Sequence, residues 1–366
     1  MAKQKIVVSG VNMVEGGIFT ILDNVLQQFS EINAENQYII IALVNSKEKF
    51  KHKNIDYIEF PKSKKSWFYR IYYEYFYFKK LSKKIKPDIW LSLHDMSANV
   101  QAKKRFVYLH HPNTLLKISF KDWCFSYKVG VFSVLYDYLF KINIKKNHTV
   151  FVQQHWIKDI FEKRFKISNI KVAIPEYVEK IVTEKYNFEP NKVHFFYPSF
   201  PRSLKNHEAI LEAIKILPKS ISEKTQFHFT TIKNNKEKYA QFLVKEYDFL
   251  ENVYFYGKVK RSQLLSMYNG MDCLVFPSKV ETWGLPISEA KAYQKPMFLA
   301  NLPYAKETCG NYEKVSFFDK NNAAELAKII TEFVEEKHIF QGNTMPFDTN
   351  EDVQNWKEFF HYITTK

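Results

Sequence analysis

Two carboxylates, Glu281 and Glu289, lie with seven residues between them in the stretch VFPSKVETWGLPISE, residues 275–289. The apolar run that opens this stretch is typical of a buried strand, and the loop after it carries Glu281. Gly284 lets the backbone approach a ligand closely, and Pro286 suits the first turn of a helix. The sequence therefore predicts a strand that leads into a helix N-terminus, with one carboxylate on each side of the turn.

A helix N-terminus offers free backbone N–H groups and a partial positive charge, so this turn suits a phosphate or a diphosphate. Carboxylates repel such a group, but beside it they can accept hydrogen bonds from neutral hydroxyls, as a sugar and a ribose would offer. That chemistry describes a sugar nucleotide. The alternative is that Glu289 only complements the helix dipole and that Glu281 is a solvated loop charge. The two carboxylates alone leave both interpretations open.

The residues around this stretch resemble glycosyltransferase family 4, in which two Glu with seven residues between them bracket a (Phe/Trp)-Gly-(Leu/Met)-Pro turn. Upstream, VYFYGKVKRSQLLSMYNGMDCLVFPS resembles the family's strand, Gly-containing turn, helix and strand, and downstream KPMFLANLPYAKE resembles its next strand and loop. The resemblance implies that Glu281 takes part in catalysis. It also implies that the donor is bound by Gly257, Lys258, Trp283, Gly284, Leu285, Pro286 and Glu289.

A second element, FYPSFPRSLKNHEAILEAI at residues 196–214, places two cations where a predicted strand ends and a helix begins. In the family an Arg and a Lys at this place hold the donor diphosphate and neutralise charge on the leaving group, which implies this catalytic role for Lys205 and Arg202. The usual spacing puts the Arg at the position of Phe200, so Arg202 is expected to substitute for it. The alternative is that both cations are solvated charges near a helix start.

The first part of the chain holds two further candidates. Gly16 and Gly17 follow the predicted first strand, and a Gly pair there lets backbone N–H groups approach a bound molecule. The resemblance implies that this pair lies near the donor phosphates and the acceptor. RFVYLHHPN ends another strand with two histidines, and the resemblance implies that His110 faces the transferred sugar, with His111 as the second choice. The alternative is a loop histidine with no role.

The absence of three motifs argues against three classes of enzyme chemistry. The chain has no GxGxxG for a nicotinamide cofactor and no GxxxxGK(S/T) for a phosphate-loop ATPase. It also lacks Asp-x-Asp, the usual handle for a metal-bound nucleotide sugar in the other large glycosyltransferase fold. The resemblance implies a metal-independent hexosyltransferase, without a cofactor, that transfers a sugar with retention of anomeric configuration. In one mechanism proposed for such enzymes the leaving phosphate takes the acceptor proton, so Glu281 and Glu289 would position the donor rather than titrate.

Apolar strands and helical segments alternate along the chain in two series, one from KIVVSG to KVAIPEYV and one from VHFFYPS to MFLA. Such alternation predicts α/β domains with parallel sheets, and the length suits two of them. The resemblance implies the GT-B architecture, in which two doubly wound Rossmann-like domains face each other across a cleft. We expect an acceptor-side domain over residues 1–178 and a sugar-nucleotide domain over 179–345. A C-terminal helix over 346–366 is expected to cross back to the first domain.

The sequence also bears on location. No span approaches the roughly 18–20 apolar residues of a transmembrane helix, and the short apolar start of the chain is typical of a first strand rather than of a secretory signal. Cys124, Cys273 and Cys309 are too few and too far apart for a disulfide framework or a zinc site. We therefore expect a cytoplasmic protein that is soluble or peripheral.

Positive charge is concentrated in the first half of the chain. Residues 1–178 hold 29 Lys and Arg against 15 Asp and Glu, whereas residues 179–366 hold 25 against 24. Residues 62–86, which we call the basic aromatic segment, interleave Lys and Arg with Trp, Tyr and Phe, and Glu74 is the one acidic residue among them. Such a segment suits an anionic membrane surface, which we favour. The alternatives are a solvated basic face backed by core aromatics and, less favoured, single-stranded nucleic acid.

These features predict a retaining glycosyltransferase that extends a lipid-linked bacterial surface glycan of the O-antigen or capsule type. Its partners would be a nucleotide sugar, a lipid-linked oligosaccharide acceptor and an anionic membrane surface, at the inner face of the plasma membrane. The alternative is a non-catalytic protein that has kept the GT-B fold and uses the basic aromatic segment to bind membrane or nucleic acid. Glu281, Glu289 and Lys205 favour the enzyme, because a binding protein has no reason to retain them.

Overall fold

The chain divides into two compact units, each with its own parallel sheet. Unit 1 comprises Met1–Leu115, Phe132–Val178 and Thr349–Lys366, and unit 2 comprises Leu116–Val131 and Glu179–Asp348. The structure, a computed structural model, describes residues 3–110, 124, 125, 135, 137–176, 181–230, 237–345 and 349–365.

Unit 1 is built on a parallel sheet. Its described strands are β1 (Gln4–Ser9), β2 (Tyr38–Val44), β3 (Asp56–Glu59), β4 (Ile89–Ser92), β5 (Lys104–Tyr108), β6 (Thr149–Val152) and β7 (Ile170–Val172). They pair in the order β3-β2-β1-β4-β5-β6-β7. Its helices include α1 (Gly16–Ile32), α2 (Trp67–Tyr72), α3 (Phe78–Ile85) and α4 (His155–Phe165), with short 3₁₀ turns at Lys47–Lys49 and Ile144–Lys146. Residues 137–141 are also helical. A π-helical turn, Tyr73–Tyr77, joins α2 to α3.

Alternate residues of β1 face opposite sides of this sheet, as the two-residue repeat of a strand requires. Ile6 and Val8 are fully buried in a core that they share with α1, whereas Val7 is fully buried in another core with Phe78 of α3. Because both faces of the sheet are covered, apolar residues follow one another directly within its inner strands, as in Ile6, Val7 and Val8 of β1.

Unit 2 is built on a second parallel sheet. Its described strands are β8 (Val193–Tyr197), β9 (Thr225–Phe229), β10 (Val253–Phe255), β11 (Cys273–Phe276), β12 (Met297–Ala300) and β13 (Val315–Phe318). They pair in the order β10-β9-β8-β11-β12-β13. The described helices are α5 (His207–Lys215), α6 (Lys219–Ser222), α7 (Lys238–Tyr247), α8 (Arg261–Gly270), α9 (Leu285–Ala292), α10 (Pro303–Cys309) and α11 (Ala323–Val334), and a 3₁₀ turn spans Ser203–Lys205.

The last helix, α12 (Trp356–Thr365), is part of unit 1 and packs into its core. Its buried residues are Trp356, Phe359, Phe360 and Ile363. This spacing of three and four residues puts them on one face of the helix. The ring centroid of Phe360 lies 4.7 Å from that of Phe29 in α1. The C-terminal part of the chain therefore completes the core beneath α1.

Each sheet has a point where the strand order reverses. It lies between β1 and β4 in unit 1 and between β8 and β11 in unit 2. At such a point the connections leave toward opposite faces of the sheet, and a crevice opens at the carboxyl ends of the two strands, where α/β sheets bind their ligands. The residues that follow these four strands are therefore the first to consider for a functional site.

The predicted fold class, α/β with two doubly wound Rossmann-like domains, is confirmed. The apolar runs predicted the observed strands closely, and YIIIALV is β2 over its whole length. Helix α1 begins at Gly16, two residues before the helical spacing that starts at Ile18. None of the described helices is long and apolar enough to span a bilayer.

Candidate functional site

Lys205 and Glu281 meet at the strand-order reversal of unit 2. Lys205 ends the 3₁₀ turn that follows β8, and Glu281 lies in the loop after β11. Because β8 and β11 are hydrogen-bonded neighbours, the loops at their carboxyl ends emerge side by side. The Nζ atom of Lys205 lies 2.5 Å from Oε1 of Glu281, and the two side chains are 26% and 14% exposed. The predicted cation and the predicted carboxylate of the site are thus in direct contact.

Hydrogen bonds hold these two loops together. The backbone N–H of Lys279 donates to the carbonyl of Leu204 at 2.8 Å. At the end of β8 the Tyr197 hydroxyl donates to the carbonyl of Lys205 at 2.6 Å and lies 3.0 Å from the Ser278 hydroxyl. Tyr197 is buried, so it supports the loops from inside the unit. The contact between the two charged groups is therefore preorganised, as stabilisation of a transition state requires.

The turn between the two carboxylates is built around Gly284. Its φ of +89° lies in the left-handed region that favours glycine. A Cβ atom there would lie 3.3 Å from Cδ1 of Ile287, which is tighter than ordinary contact. Helix α9 begins at the next residue, Leu285, and Pro286 occupies its first turn. This N-terminus is the element that the sequence predicts to hold a diphosphate.

Neighbouring side chains hold Trp283 at the start of α9. Its indole Nε1 donates to the Ser288 hydroxyl at 2.9 Å. Its carbonyl accepts a hydrogen bond from the hydroxyl of Thr308. The Trp283 side chain therefore has a defined position beside the turn.

Glu289 is nearly buried in α9 and has a cationic partner. The residue is 4% exposed, and its Oε1 lies 2.6 Å from a terminal guanidinium nitrogen of Arg261. Arg261 is the first residue of α8, and its side chain is 40% exposed. Arg261 was not predicted from the sequence. The one sequence feature that could have indicated it is its position at the start of a predicted helix, four residues after Gly257.

Three other predicted residues lie around this region. Gly257, with a φ of +78°, and the exposed Lys258 are in the loop between β10 and α8. Arg202 is exposed at the start of the 3₁₀ turn. Among the described residues of unit 2, no ion pair joins Arg202 to Glu281, so its part in the site remains a prediction.

Unit 2 thus brings each predicted carboxylate next to a cation. Lys205 contacts Glu281, and Arg261 contacts Glu289. With the N-terminus of α9 between the two carboxylates in the chain, the set suits a diphosphate at the helix start and neutral hydroxyls at the carboxylates. Among the residues that the structure describes, no three His, Cys, Asp or Glu side chains are grouped to hold a metal ion.

Gly16, Gly17 and His110 belong to unit 1. Gly16, with a φ of +67°, and Gly17 open α1 and are exposed. His110 follows β5, and its Nδ1 lies 3.0 Å from the side-chain amide nitrogen of Gln153. Burial lowers the pKa of His110 to about 3, so the imidazole is neutral near pH 7. His111 lies outside the described residues.

A buried polar cluster occupies the strand-order reversal of unit 1. Ser9 ends β1, and its hydroxyl lies 3.1 Å from Nε2 of His94, which follows β4. The same nitrogen lies 3.1 Å from Oε1 of Glu74 in the π-helical turn. Burial raises the pKa of Glu74 to about 8, although the charge of Arg70 acts in the opposite direction. Burial also holds the pKa of His94 well below its usual range.

Replacing Glu74 with glutamine is expected to change how stability depends on pH. The folded-state pKa of about 8 lies above the ordinary value of 4.5. The stability that this shift contributes is present below pH 4.5 and is lost as the pH rises through 8, because the unfolded chain releases the proton first. Arg70 and the neutral His94 face the carboxyl and keep their charge states in this range. The Tm of the variant relative to wild type should rise by on the order of 5 °C across this range.

Calorimetry from acid to alkaline pH measures this difference in Tm. Glu48→Gln is the matched control, because it makes the same substitution at an exposed position of unit 1. A Tm difference for Glu74→Gln that stays constant across the range would show that Glu74 ionises normally in the folded protein.

The basic aromatic segment forms α2, the π-helical turn and α3. Its exposed lysines are Lys62, Lys64, Lys65, Lys79, Lys80, Lys83, Lys84 and Lys86. Phe68 and Phe76 are 74% and 62% exposed, whereas Phe78 and Glu74 are fully buried. Core packing therefore accounts for the inner face of the segment. The outer face combines lysines with exposed aromatic rings.

The fold is that of the GT-B glycosyltransferases. The structure matches the lipopolysaccharide outer core galactosyltransferase WaaB with a TM-score of 0.64 and 14% identity, over 99% of both chains. It matches HepE from Anabaena, solved in complex with UDP-glucose, with a TM-score of 0.61 and 14% identity, over 91% of this chain and 90% of that chain. At these identities the matches show the fold alone.

Residues 179–345 match the family model described as glycosyl transferases group 1. Over 191 residues the chain is 21% identical to the O-antigen chain mannosyltransferase RfbU of Salmonella typhimurium, and the match spans 49% of each protein. The chain thus covers about half the length of this curated relative. The matched residues make up less than half of the chain. Together with the similar proteins, the match confirms the predicted resemblance to glycosyltransferase family 4.

Proposed function

We propose that the protein is a retaining glycosyltransferase that moves a sugar from a nucleotide-sugar donor to a hydroxyl of a growing bacterial surface glycan. The observation that carries this proposal is the contact of Lys205 with Glu281 at the strand-order reversal of a group 1 glycosyltransferase domain. A cation and a carboxylate side by side suit a donor that presents a diphosphate next to neutral sugar hydroxyls. The structure of HepE with UDP-glucose supports a nucleotide sugar as the donor.

The chemistry follows from the charges that develop. Cleavage of the glycosidic bond leaves positive charge on the sugar ring, and the bonding electrons depart with the nucleoside diphosphate. Preorganised cationic groups beside that diphosphate stabilise it, and we assign this task to Lys205, Arg202 and the N-terminus of α9. The acceptor oxygen bonds to the anomeric carbon on the face that the diphosphate leaves, and the acceptor proton passes to a phosphate oxygen. Neither Glu281 nor Glu289 acts as an acid or a base in this scheme, and no metal is required.

We assign the acceptor to a lipid-linked glycan of the O-antigen or capsule type. The support comes from two proteins that this chain resembles, since RfbU is an O-antigen chain mannosyltransferase and WaaB a lipopolysaccharide outer core galactosyltransferase. A lipid-linked acceptor is held at a membrane. An enzyme that acts on it gains from a surface that binds the same membrane.

The basic aromatic segment is the surface that we propose for that contact. Its outer face carries eight exposed lysines together with Phe68 and Phe76. Lysines attract anionic headgroups, and aromatic rings settle at the interface between headgroups and acyl chains. The protein would then be peripheral on the cytoplasmic face of the membrane. Nucleic acid fits the same composition, but the glycosyltransferase domain gives it no role.

The direct test is a screen of sugar nucleotides against the purified protein in the presence of EDTA. We expect one donor to raise the Tm as a ligand of the folded state does, and to be hydrolysed slowly without an acceptor. With an acceptor glycan, NMR should show a product with the anomeric configuration of the donor. A folded protein that neither binds nor hydrolyses any sugar nucleotide would instead be a non-catalytic member of the fold.

A further inference from the structure

A second ion pair in unit 2, between Arg261 and Glu289, links the start of α8 to α9. Arg261 opens α8, and Glu289 lies on the second turn of α9. The distance of 2.6 Å between guanidinium nitrogen and carboxylate oxygen is that of a short charge-assisted hydrogen bond. The Glu289 side chain is 5% exposed, so the contact is shielded from water on the carboxylate side.

The burial of Glu289 explains why this contact matters. A nearly buried carboxylate is costly unless a cation or a set of hydrogen-bond donors compensates it. Arg261 supplies that compensation from another helix, with a terminal guanidinium nitrogen 2.6 Å from Oε1. A carboxylate held by one oxygen keeps its orientation, and its second oxygen can accept from a ligand hydroxyl. The rigid fork of a guanidinium fixes such an orientation better than an ammonium on a flexible stem.

We propose that Arg261 is a positioning residue that orients Glu289 toward a ribose hydroxyl of the nucleotide donor and thereby makes the site select ribose over deoxyribose. This inference rests on the proposed function, because it takes the ligand of Glu289 to be a sugar nucleotide. Arg261 also offsets the negative charge that Glu289 would otherwise present to the donor diphosphate. Its effect is therefore on donor binding, with little effect on the bond-breaking step.

The experiment uses the full chain and the nucleoside diphosphate that binds best among UDP, GDP and ADP, together with its 2′-deoxy and 3′-deoxy forms. Calorimetric titration gives Kd for wild type, Arg261→Ala, Arg261→Lys, Glu289→Gln and the double variant Arg261→Ala/Glu289→Gln. We expect Arg261→Ala to weaken binding of the ribonucleotide about tenfold, as loss of a charge-assisted contact does. Discrimination against the deoxy form should shrink by a similar factor, and Arg261→Lys should restore part of it.

The double variant separates positioning from a direct contact of Arg261 with the ligand. If Arg261 acts through Glu289, the double variant should bind no more weakly than Glu289→Gln alone, whereas independent contacts would add. Lys260→Ala is the matched control, because Lys260 is an exposed cation one residue away with no ion pair to Glu289 among the described residues. It should leave Kd unchanged.

The outcomes distinguish this inference from the proposed function. If wild type binds ribonucleotides and Arg261→Ala binds them with the same Kd and the same discrimination, Arg261 does not position Glu289. The proposed glycosyltransferase function would still stand. Additive losses in the double variant would also overturn it. Wild-type protein that binds no nucleotide would remove the proposed function and this inference together. Equal Tm values for the variants would confirm that a change in Kd does not come from unfolding.

Discussion

Replacing Lys205 with alanine is expected to lower kcat for sugar transfer by about 10²–10³-fold, the range found when one preorganised electrostatic donor is removed from an active site. The departing diphosphate gains negative charge in the transition state, and a nearby cation stabilises that charge. The ammonium of Lys205 is such a cation, and it contacts the Glu281 carboxylate at the strand-order reversal of unit 2. A group that acts mainly on this developing charge affects kcat more than the KM for the donor. Glu281→Gln should have a smaller effect, since the amide still accepts from a hydroxyl but no longer holds the ammonium by charge.

Initial rates with varied donor concentration give kcat and KM for each variant. Lys215→Ala is the matched control, because Lys215 forms an exposed ion pair with Glu212 at 3.1 Å in the same domain and has no place in the site. Its kcat should equal that of wild type. Unchanged sugar transfer by folded Lys205→Ala protein would remove Lys205 from catalysis, and with it the assignment of this loop to the leaving group.

The sequence predicted both members of the Lys205–Glu281 pair but not their contact. Each lies after an apolar run that local pattern identifies as a strand, namely β8 and β11. Whether two such strands are neighbours depends on the order in which the whole sheet assembles, and no local pattern carries that order. Four α-helices and two strands separate β8 from β11 in the chain, yet β8 and β11 pair directly in the sheet.

The sequence predicted neither the contact of Arg261 with Glu289 nor the burial of Glu74, and the physical reasons differ. An arginine at a helix start is usually solvated, so only the packing of α8 beside α9 reveals its contact with Glu289. Glu74 stands among lysines and aromatic residues, where a carboxylate would ordinarily face solvent. Aromatic residues fill nine of the twelve positions from 67 to 78, so the sequence shows no apolar stripe that would distinguish the inner face from the outer face. The π-helical turn shifts that face further and turns Glu74 inward.

The two faces of the basic aromatic segment bear on different properties of the protein. Its inner face carries Glu74 and Phe78 into the core of unit 1, beside the strand-order reversal where Ser9 and His94 lie. Its outer face carries the lysines and exposed rings. Changes on the outer face should therefore leave stability intact, since surface substitutions away from buried features usually have small effects. Membrane binding can be tested there without unfolding the protein.

Replacing Lys79, Lys80, Lys83 and Lys84 together with glutamine is expected to weaken binding to anionic vesicles by on the order of 10²–10³-fold. Each basic residue near an anionic surface contributes about 1 kcal/mol to binding. All four lysines are exposed and lie within α3. The attraction is screened by salt over a Debye length of about 10 Å at 0.1 M, so raising the salt should release the wild-type protein in the same way. Sedimentation with vesicles that contain phosphatidylglycerol measures the bound fraction.

The matched control for this variant carries Lys→Gln at four exposed positions of unit 2, Lys219, Lys224, Lys328 and Lys337. It has the same net charge, so a difference between the two variants isolates the position of the lysines from the overall charge of the protein. Phe68→Ala/Phe76→Ala should reduce binding as well, because the exposed rings add apolar contact at the interface. If the segment variant sediments with anionic vesicles as wild type does, the segment is not the membrane surface. If wild type binds a single-stranded oligonucleotide rather than vesicles, and the segment variant does not bind it, the basic face serves nucleic acid instead.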